Sequence, residues 1–345
     1  MSKKIKVGIL GCTGLVGQRL IESLSGHPLF EVTALFGRDE KQGKTYYDVV
    51  NWVCESKLDR RIAELKISSV HDNKACEGIS LFFSALSADA ANTVEADLRG
   101  RGYGVVSNAK SFRMEKEVPL LVPEINAQSI ELVAEQKKKY NGGFIATNPN
   151  CCVIGITLAL APIEKTLGLQ GLNIVTMQAL SGAGLQGLSN PQAKANVIPN
   201  ISEEEDKIRQ ELPKVFSRSD IDIKVRVNRV PVVDGHTFVI WFKTKKASSK
   251  QDILKLWETY KPACGVMPSI STEPLYKVYD ADNFMPQPKV DASYMKGMGT
   301  SVGRLEQISN TEFCVTAVSN NIVRGAAGGT ILIAETLYDR GMINV

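Results

Sequence analysis

At 345 residues the chain is long for one compact domain and suits two of average size. A 43% hydrophobic and 23% charged composition without any membrane-length apolar run matches a soluble globular protein and argues against a membrane span. The net charge of +4, with lysines and arginines interspersed among acids, argues against a nucleic-acid partner.

Seven cysteines without CxxC spacing predict free thiols in a reducing compartment rather than a disulfide framework. The three histidines, His27, His71 and His236, form no pair at metal-ligand spacing, so no metal is expected. The opening positive charges are followed by an apolar stretch cut by Gly8, Gly11 and Gly14, unlike a signal sequence. The expected location is the cytoplasm.

In chain order, residues 5–10 read as a buried strand. Glycines then lead into 15–24, where Val16, Leu20, Ile21 and Leu24 recur at helical spacing. Strands are predicted at 31–36 and 79–84, a helix at 88–99 and another strand near Val105. The segment 144–151 reads as a strand ending in a Pro-containing turn, and 152–167 are apolar and helical in length. Longer alternating runs at 224–244 and 312–318 suggest an antiparallel or mixed sheet. The expected fold is α/β: an N-terminal Rossmann-type parallel-sheet domain, followed by an α+β domain with a mixed sheet. The first is predicted over 1–148, with the helical segment 325–345 returning to it; the second covers 149–324.

The run Gly11-Cys12-Thr13-Gly14-Leu15-Val16-Gly17 lies where the first strand passes into the first helix. Glycines there let the backbone approach a pyrophosphate, and the helix N-terminus stabilises its charge. In this βαβ context residues 11–16 are predicted to bind a dinucleotide, a tight structural turn being the alternative. Ser84, closing the strand 79–84, is grouped with them. After the second strand comes Arg38, which suits the 2′-phosphate of NADP, although Asp39 and Glu40 follow directly. NADP is the expected cofactor, with NAD as the alternative.

Asn148-Pro149-Asn150-Cys151 is a turn between a strand and the helix at 152–167, which puts Cys151 at a helix N-terminus. The helix dipole and unpaired amides there favour a thiolate and can hold an oxyanion. Cys152, one position on, should face the core.

The glycine-rich start, 107–113 (SNAKSFR), 122–126 (VPEIN), 148–151 (NPNC), 229–236 (RVPVVDGH) and 321–329 (NIVRGAAGG) together resemble aspartate-semialdehyde dehydrogenases of the archaeal and fungal branch. The resemblance spans essentially the whole chain. It implies NADPH-dependent reduction of L-4-aspartyl phosphate to L-aspartate 4-semialdehyde through a thioester, a step toward threonine, methionine and lysine. Cys151 would be the nucleophile and His236 the acid/base. Following Asp234-Gly235, His236 is expected at a hairpin tip.

The same resemblance implies that Arg229 binds the substrate carboxylate and Glu204 its amino group. Arg113 and Lys207, with Asn108, would bind phosphate. Residues 204 and 207 share a helical face, although a capping box from Ser202 to Glu205 is the plainer alternative. Gln178 would orient the substrate, Asn150 would orient it or shape the turn, and Ser181, Gly182 and Asn321 would contact the nicotinamide end. A homodimer or homotetramer is implied.

One departure stands out: the serine-rich 2′-phosphate segment of the family is replaced by 37–43 (GRDEKQG). Three other readings compete. N-acetylglutamyl-phosphate reductase would carry glycine in place of Asn150, malonyl-CoA reductase should lack Glu204 and Lys207, and a non-catalytic NADP-binding regulator would not need Cys151, His236 and Arg229 together.

Overall fold

The computed structural model describes residues 3–343 except 194, 271–272 and 281–283. Residues 344–345, which close the expected C-terminal segment, lie outside the described residues. The chain forms two units, one from Met1–Leu121, Gln128–Asn148 and Thr330–Val345, the other from Val122–Ala127 and Pro149–Gly329.

The first unit holds strands β1 (Ile5–Leu10), β2 (Phe30–Phe36), β3 (Ile67–Ser68), β4 (Leu81–Ser84), β5 (Gly104–Ser107) and β6 (Phe144–Thr147), with helices α1 (Leu15–Leu24) and α2 (Ala88–Gly100). All pairings are parallel, in the order β3-β2-β1-β4-β5-β6. A parallel sheet is covered on both faces, which is why β4, β5 and β6 are buried at every position. Strand order reverses between β1 and β4, and the crevice beyond their C-terminal ends is where such sheets bind ligands. The fourth strand starts two residues later than the 79–84 run suggests, because Ile79 closes a turn onto Cys76.

The C-terminal helix (Gly328–Asp339) runs into this unit. Its Glu335 meets His27 at 2.8 Å with both side chains buried, while the amides of Leu29 and Phe30 donate to the other ring nitrogen.

The second unit is built on α3 (Cys151–Leu167) and a mixed seven-stranded sheet: β7 (Leu169–Gln178), β8 (Ile198–Pro199), β9 (Asp222–Arg229), β10 (His236–Thr244), β11 (Tyr276–Tyr279), β12 (Thr300–Gln307) and β13 (Glu312–Ser319). Their order is β11-β12-β13-β10-β7-β9-β8. The helix is buried continuously from Cys152 to Ile163, and it lies so near the sheet that a Cβ at Gly155 would stand 2.4 Å from the Phe238 ring. Pro162 has no N–H for the Leu158 carbonyl, and the Tyr276 hydroxyl fills that place at 2.7 Å. Helix α4 (Glu204–Phe216) packs beside α3.

Two expectations need correction. No hairpin joins β9 to β10, because β7 lies between them, parallel to β9 and antiparallel to β10. The connection 230–235 instead crosses the end of β7, where Leu180 and Ser181 donate to the carbonyls of Val232 and Val233. His236 therefore opens a central strand and is fully buried, rather than standing at an exposed tip. Nor is there a capping box at Ser202 and Glu205: the helix begins at Glu204, after Glu203 in a left-handed conformation (φ 62°) without a side-chain cap.

Candidate functional site

The glycine turn of the first unit has little room for side chains. Gly11 adopts φ 73°, and a Cβ there would come 2.6 Å from the Ala85 carbonyl, directly beyond β4. A Cβ at Gly17 would lie 2.3 Å from the Gly11 carbonyl. Glycine is required at 11 by conformation and at both by contact. Gly14 caps α1 without a side-chain bond, and the first turn contains no acid, so its amides stay available to an anion. Leu15 is buried, and so is Cys12, whose thiol points to the Phe36 carbonyl. This turn fits a dinucleotide pyrophosphate.

Arg38, just past β2, is largely exposed, with a guanidinium nitrogen 4.0 Å from the Glu40 carboxylate. Lys41 donates to the Thr13 hydroxyl at 3.1 Å, bringing a cation onto the glycine turn that spacing alone did not single out. Asp39 is turned to Gln42. Ser84 is fully buried, and its carbonyl accepts from both the backbone and side-chain amides of Asn108. Arg113 donates to the Asn108 carbonyl at 2.7 Å. Beneath this loop, buried Glu95 accepts from the Ser107 hydroxyl at 2.7 Å, and that hydroxyl accepts from the Ala109 amide. Burial pushes the Glu95 carboxyl up to about 7, against the pull of Ser107 and Arg113.

In the second unit the predicted residues converge on the start of α3. Asn150 is its N-cap, with Oδ1 accepting from the amides of Cys152 (2.9 Å) and Val153 (3.4 Å). The partly exposed Cys151 follows as the first helical residue, and its Sγ lies 3.3 Å from Nε2 of His236. The Ala179 amide donates to Nδ1 of His236 at 3.0 Å, so a neutral ring must carry its proton on Nε2, facing the sulfur.

A hydrogen bond from the Cys152 thiol, followed by the influence of His236, holds the Cys151 thiol well below its usual range despite burial. Cys152 is itself fully buried and pushed well above that range by desolvation. The donor atoms of Cys151, Cys152 and His236 lie within 4.8 Å of one another, the one such three-residue grouping of His, Cys, Asp or Glu among the described residues.

Around this pair stand the remaining candidates. Gln178, at the end of β7, and Asn150 both direct side-chain amides to Glu204, at 3.5 Å and 3.0 Å. Lys207 contacts the same carboxylate at 2.8 Å. Burial tends to raise the Glu204 carboxyl, but Lys207 and Asn150 outweigh it and leave it lowered, hence ionised. Arg229 anchors one nitrogen on the Ala179 carbonyl at 2.7 Å. At Gly182 a Cβ would sit 2.7 Å from that Arg229 nitrogen and 3.1 Å from the His236 ring, so this glycine keeps a gap open beside both. Asn321 accepts from the Gly235 amide and donates to the Ser181 hydroxyl, tying the 181–184 loop to the turn before His236.

Two features escaped the sequence reading. Glu211, buried on α4, accepts from the Asn150 backbone amide at 2.6 Å; its spacing of seven from Glu204, two helical turns on one face, was the available signal. After Asn321 the chain makes a π-helical turn, Val323–Ala327, which presses Gly325 against Cys151. Arg324 in that turn forms a fully buried ion pair with Glu124.

Both units match known families. Residues 6–133 match the family "Semialdehyde dehydrogenase, NAD binding domain", and residues 160–324 match "Semialdehyde dehydrogenase, dimerisation domain". The chain is 35% identical to the aspartate-semialdehyde dehydrogenase of Archaeoglobus fulgidus, over 99% of this chain and all of that protein. It is 34% identical to the Saccharomyces cerevisiae enzyme of the same name, over 99% of this chain and all of that one. The crystal structure of aspartate semialdehyde dehydrogenase with NADP from Candida albicans superposes with a TM-score of 0.89 at 32% identity, covering 99% of this chain and 100% of that one.

Proposed function

The chain belongs to the aspartate-semialdehyde dehydrogenase family, and on that premise we propose that it reduces L-4-aspartyl phosphate to L-aspartate 4-semialdehyde with NADPH through a thioester on Cys151. The observation that carries this reading is the placement of the Cys151 sulfur at a helix N-terminus, 3.3 Å from a histidine nitrogen whose tautomer is fixed by a backbone amide.

The thiolate attacks the acyl carbon, the acyl–oxygen bond to phosphate breaks, and phosphate departs with the electron pair. When bound, NADPH supplies the hydride that reduces the thioester. The resulting oxyanion accepts a hydrogen bond from Nε2–H of His236; as it collapses the carbonyl re-forms and the carbon–sulfur bond breaks, which releases the aldehyde and restores the Cys151 thiolate, with His236 keeping its proton. The helix start stabilises both the thiolate and the oxyanion.

Arg229 receives the substrate carboxylate and Glu204 its ammonium, while Gln178 and Asn150 orient it. Lys207, Arg113 and Asn108 are the phosphate ligands. The first unit is the NADP domain: residues 11–16 take the pyrophosphate, Arg38 the 2′-phosphate, and Ser84 belongs to the same crevice. Ser181, Gly182 and Asn321 serve the nicotinamide end. NADP as cofactor is supported by the Candida albicans neighbour.

The second unit is the catalytic and oligomerisation domain of a cytoplasmic homodimer or homotetramer. Trp241 is exposed on its sheet, in grooves lined also by the half-buried Val239 and Val175, and this face is the surface that pairs with a second copy. Asn150 and the Glu204–Lys207 pair favour this activity over the N-acetylglutamyl-phosphate and malonyl-CoA reductase readings.

The test is a comparison of NADP and NAD as oxidants of aspartate semialdehyde with phosphate present. A clear preference for NADP that weakens in Arg38→Ala is expected, and equal use of both cofactors by the unmodified protein would contradict the cofactor assignment.

A further inference from the structure

Two residues given different parts of the substrate are bonded to each other in the free protein. On the reading above Glu204 receives the ammonium and Lys207 the phosphate, yet Lys207 Nζ sits 2.8 Å from Glu204 Oε1, with side chains only 23% and 10% exposed. Neither is ready for its ligand.

The Glu204 carboxylate is already fully occupied. Oε1 accepts from Lys207 and, at 3.2 Å, from Asn150; Oε2 accepts from Asn150 at 3.0 Å and Gln178 at 3.5 Å. Four contacts from three donor nitrogens fill the roughly four lone-pair positions of a carboxylate. An arriving ammonium must displace one of them. Asn150 is tied down at both ends, its Oδ1 by helix amides and its backbone amide by Glu211, so moving it would undo the cap of the nucleophile's helix. Lys207 is different: its ammonium ends a flexible four-carbon stem and is still partly exposed. Exchanging one ammonium for another also keeps the buried carboxylate neutralised, whereas two cations crowded on it would repel.

We propose that the Glu204–Lys207 ion pair is a substrate-operated latch, in which the substrate's ammonium takes Glu204 and releases Lys207 to bind phosphate. Phosphate affinity then depends on a group at the far end of the substrate. A semialdehyde lacking the amino group leaves Lys207 on Glu204 and meets a site poor in phosphate affinity, which adds discrimination beyond direct contacts. Linkage requires the converse as well, so bound phosphate must tighten the amino-bearing substrate by the same factor.

This inference rests on Lys207 being a phosphate ligand, and the experiment separates the two claims. Inorganic phosphate binding to the full-length protein is measured by calorimetry for the unmodified chain, Glu204→Gln and Lys207→Ala. The latch predicts that Glu204→Gln, which removes the carboxylate charge but keeps its shape, tightens phosphate about fivefold or more, in the range of ordinary coupling energies, while Lys207→Ala weakens it. Phosphate binding unchanged or weakened in Glu204→Gln, with Lys207→Ala still weakening it, overturns the latch and spares the ligand assignment. Unchanged binding in Lys207→Ala removes both. A parallel measurement needs no variant: the KM for phosphate should be lower with aspartate semialdehyde than with succinate semialdehyde, and equal values contradict the latch.

Discussion

Gly325 lies against Cys151 so closely that a Cβ at position 325 would stand 2.8 Å from the cysteine's own Cβ. The π-helical turn brings it there, through bonds such as that from the Gly325 amide to the Asn320 carbonyl at 2.8 Å. The Arg324–Glu124 pair fixes the turn to the segment 122–127. The nucleophile is thus held from two sides, by Asn150 before it and by this turn beside it.

From this contact, Gly325→Ala should push the sulfur away from His236. A shift on the order of 1 Å at a reacting atom costs about a hundredfold in rate, while overpacking lowers stability by roughly 1–3 kcal/mol. Steady-state kinetics with a thermal melt checks this: full activity would mean the turn has slack that the packing does not suggest.

His236 should also be visible in the chemistry of the thiol. The Cys151 thiol sits below its usual range through the Cys152 hydrogen bond and then His236. Its thiolate therefore persists at lower pH than an ordinary cysteine's. In His236→Gln the midpoint for alkylation of Cys151 by iodoacetamide should move upward, so labelling near neutral pH slows. Catalysis should fall by about 10²–10⁴, the usual worth of a general acid. An unmoved alkylation profile would show that His236 does not act on the thiol.

Glu95 gives a stability prediction away from the chemistry. Its carboxyl is raised from 4.5 to about 7 by burial, so the folded protein holds a proton that the unfolded chain has already lost between those values. Stability contributed by this group is complete below the unfolded value and declines as pH rises to about 7. Glu95→Gln keeps an acceptor for Ser107 and removes the titration. It should stabilise the protein at pH 8 by an amount on the order of 3 kcal/mol and have little effect near pH 4. Melting temperatures at the two pH values check this, and a variant equally or less stable at pH 8 would contradict it.

What the sequence revealed and what it concealed divide along the range of the interaction. Helix 15–24, the strand into Gly11, and the position of Cys151 at a helix start are set by neighbours in the chain, so periodicity and glycine spacing reveal them. The hairpin expected before His236 failed because Asp234-Gly235 is a local turn signal, whereas the insertion of β7 between β9 and β10 depends on pairing between distant segments. Gly325 against Cys151 spans 174 positions and left no local trace, while Glu211 on the Asn150 amide spans 61 and was marked only by its helical spacing from Glu204. The spacing of Glu204 and Lys207 correctly put them on one face, but that they hold each other is seen only in the folded chain.

The most direct test of the thioester is a single turnover run backwards without phosphate. Protein mixed with NADP and aspartate semialdehyde should release a burst of NADPH equal to the number of active sites and then stop, with mass spectrometry locating one aspartyl group on Cys151. Adding phosphate or arsenate should restart turnover. Cys152→Ser should behave likewise and Cys151→Ser should give no burst. Continuous turnover without either anion, or an acyl group found on Cys152 instead, would contradict the account.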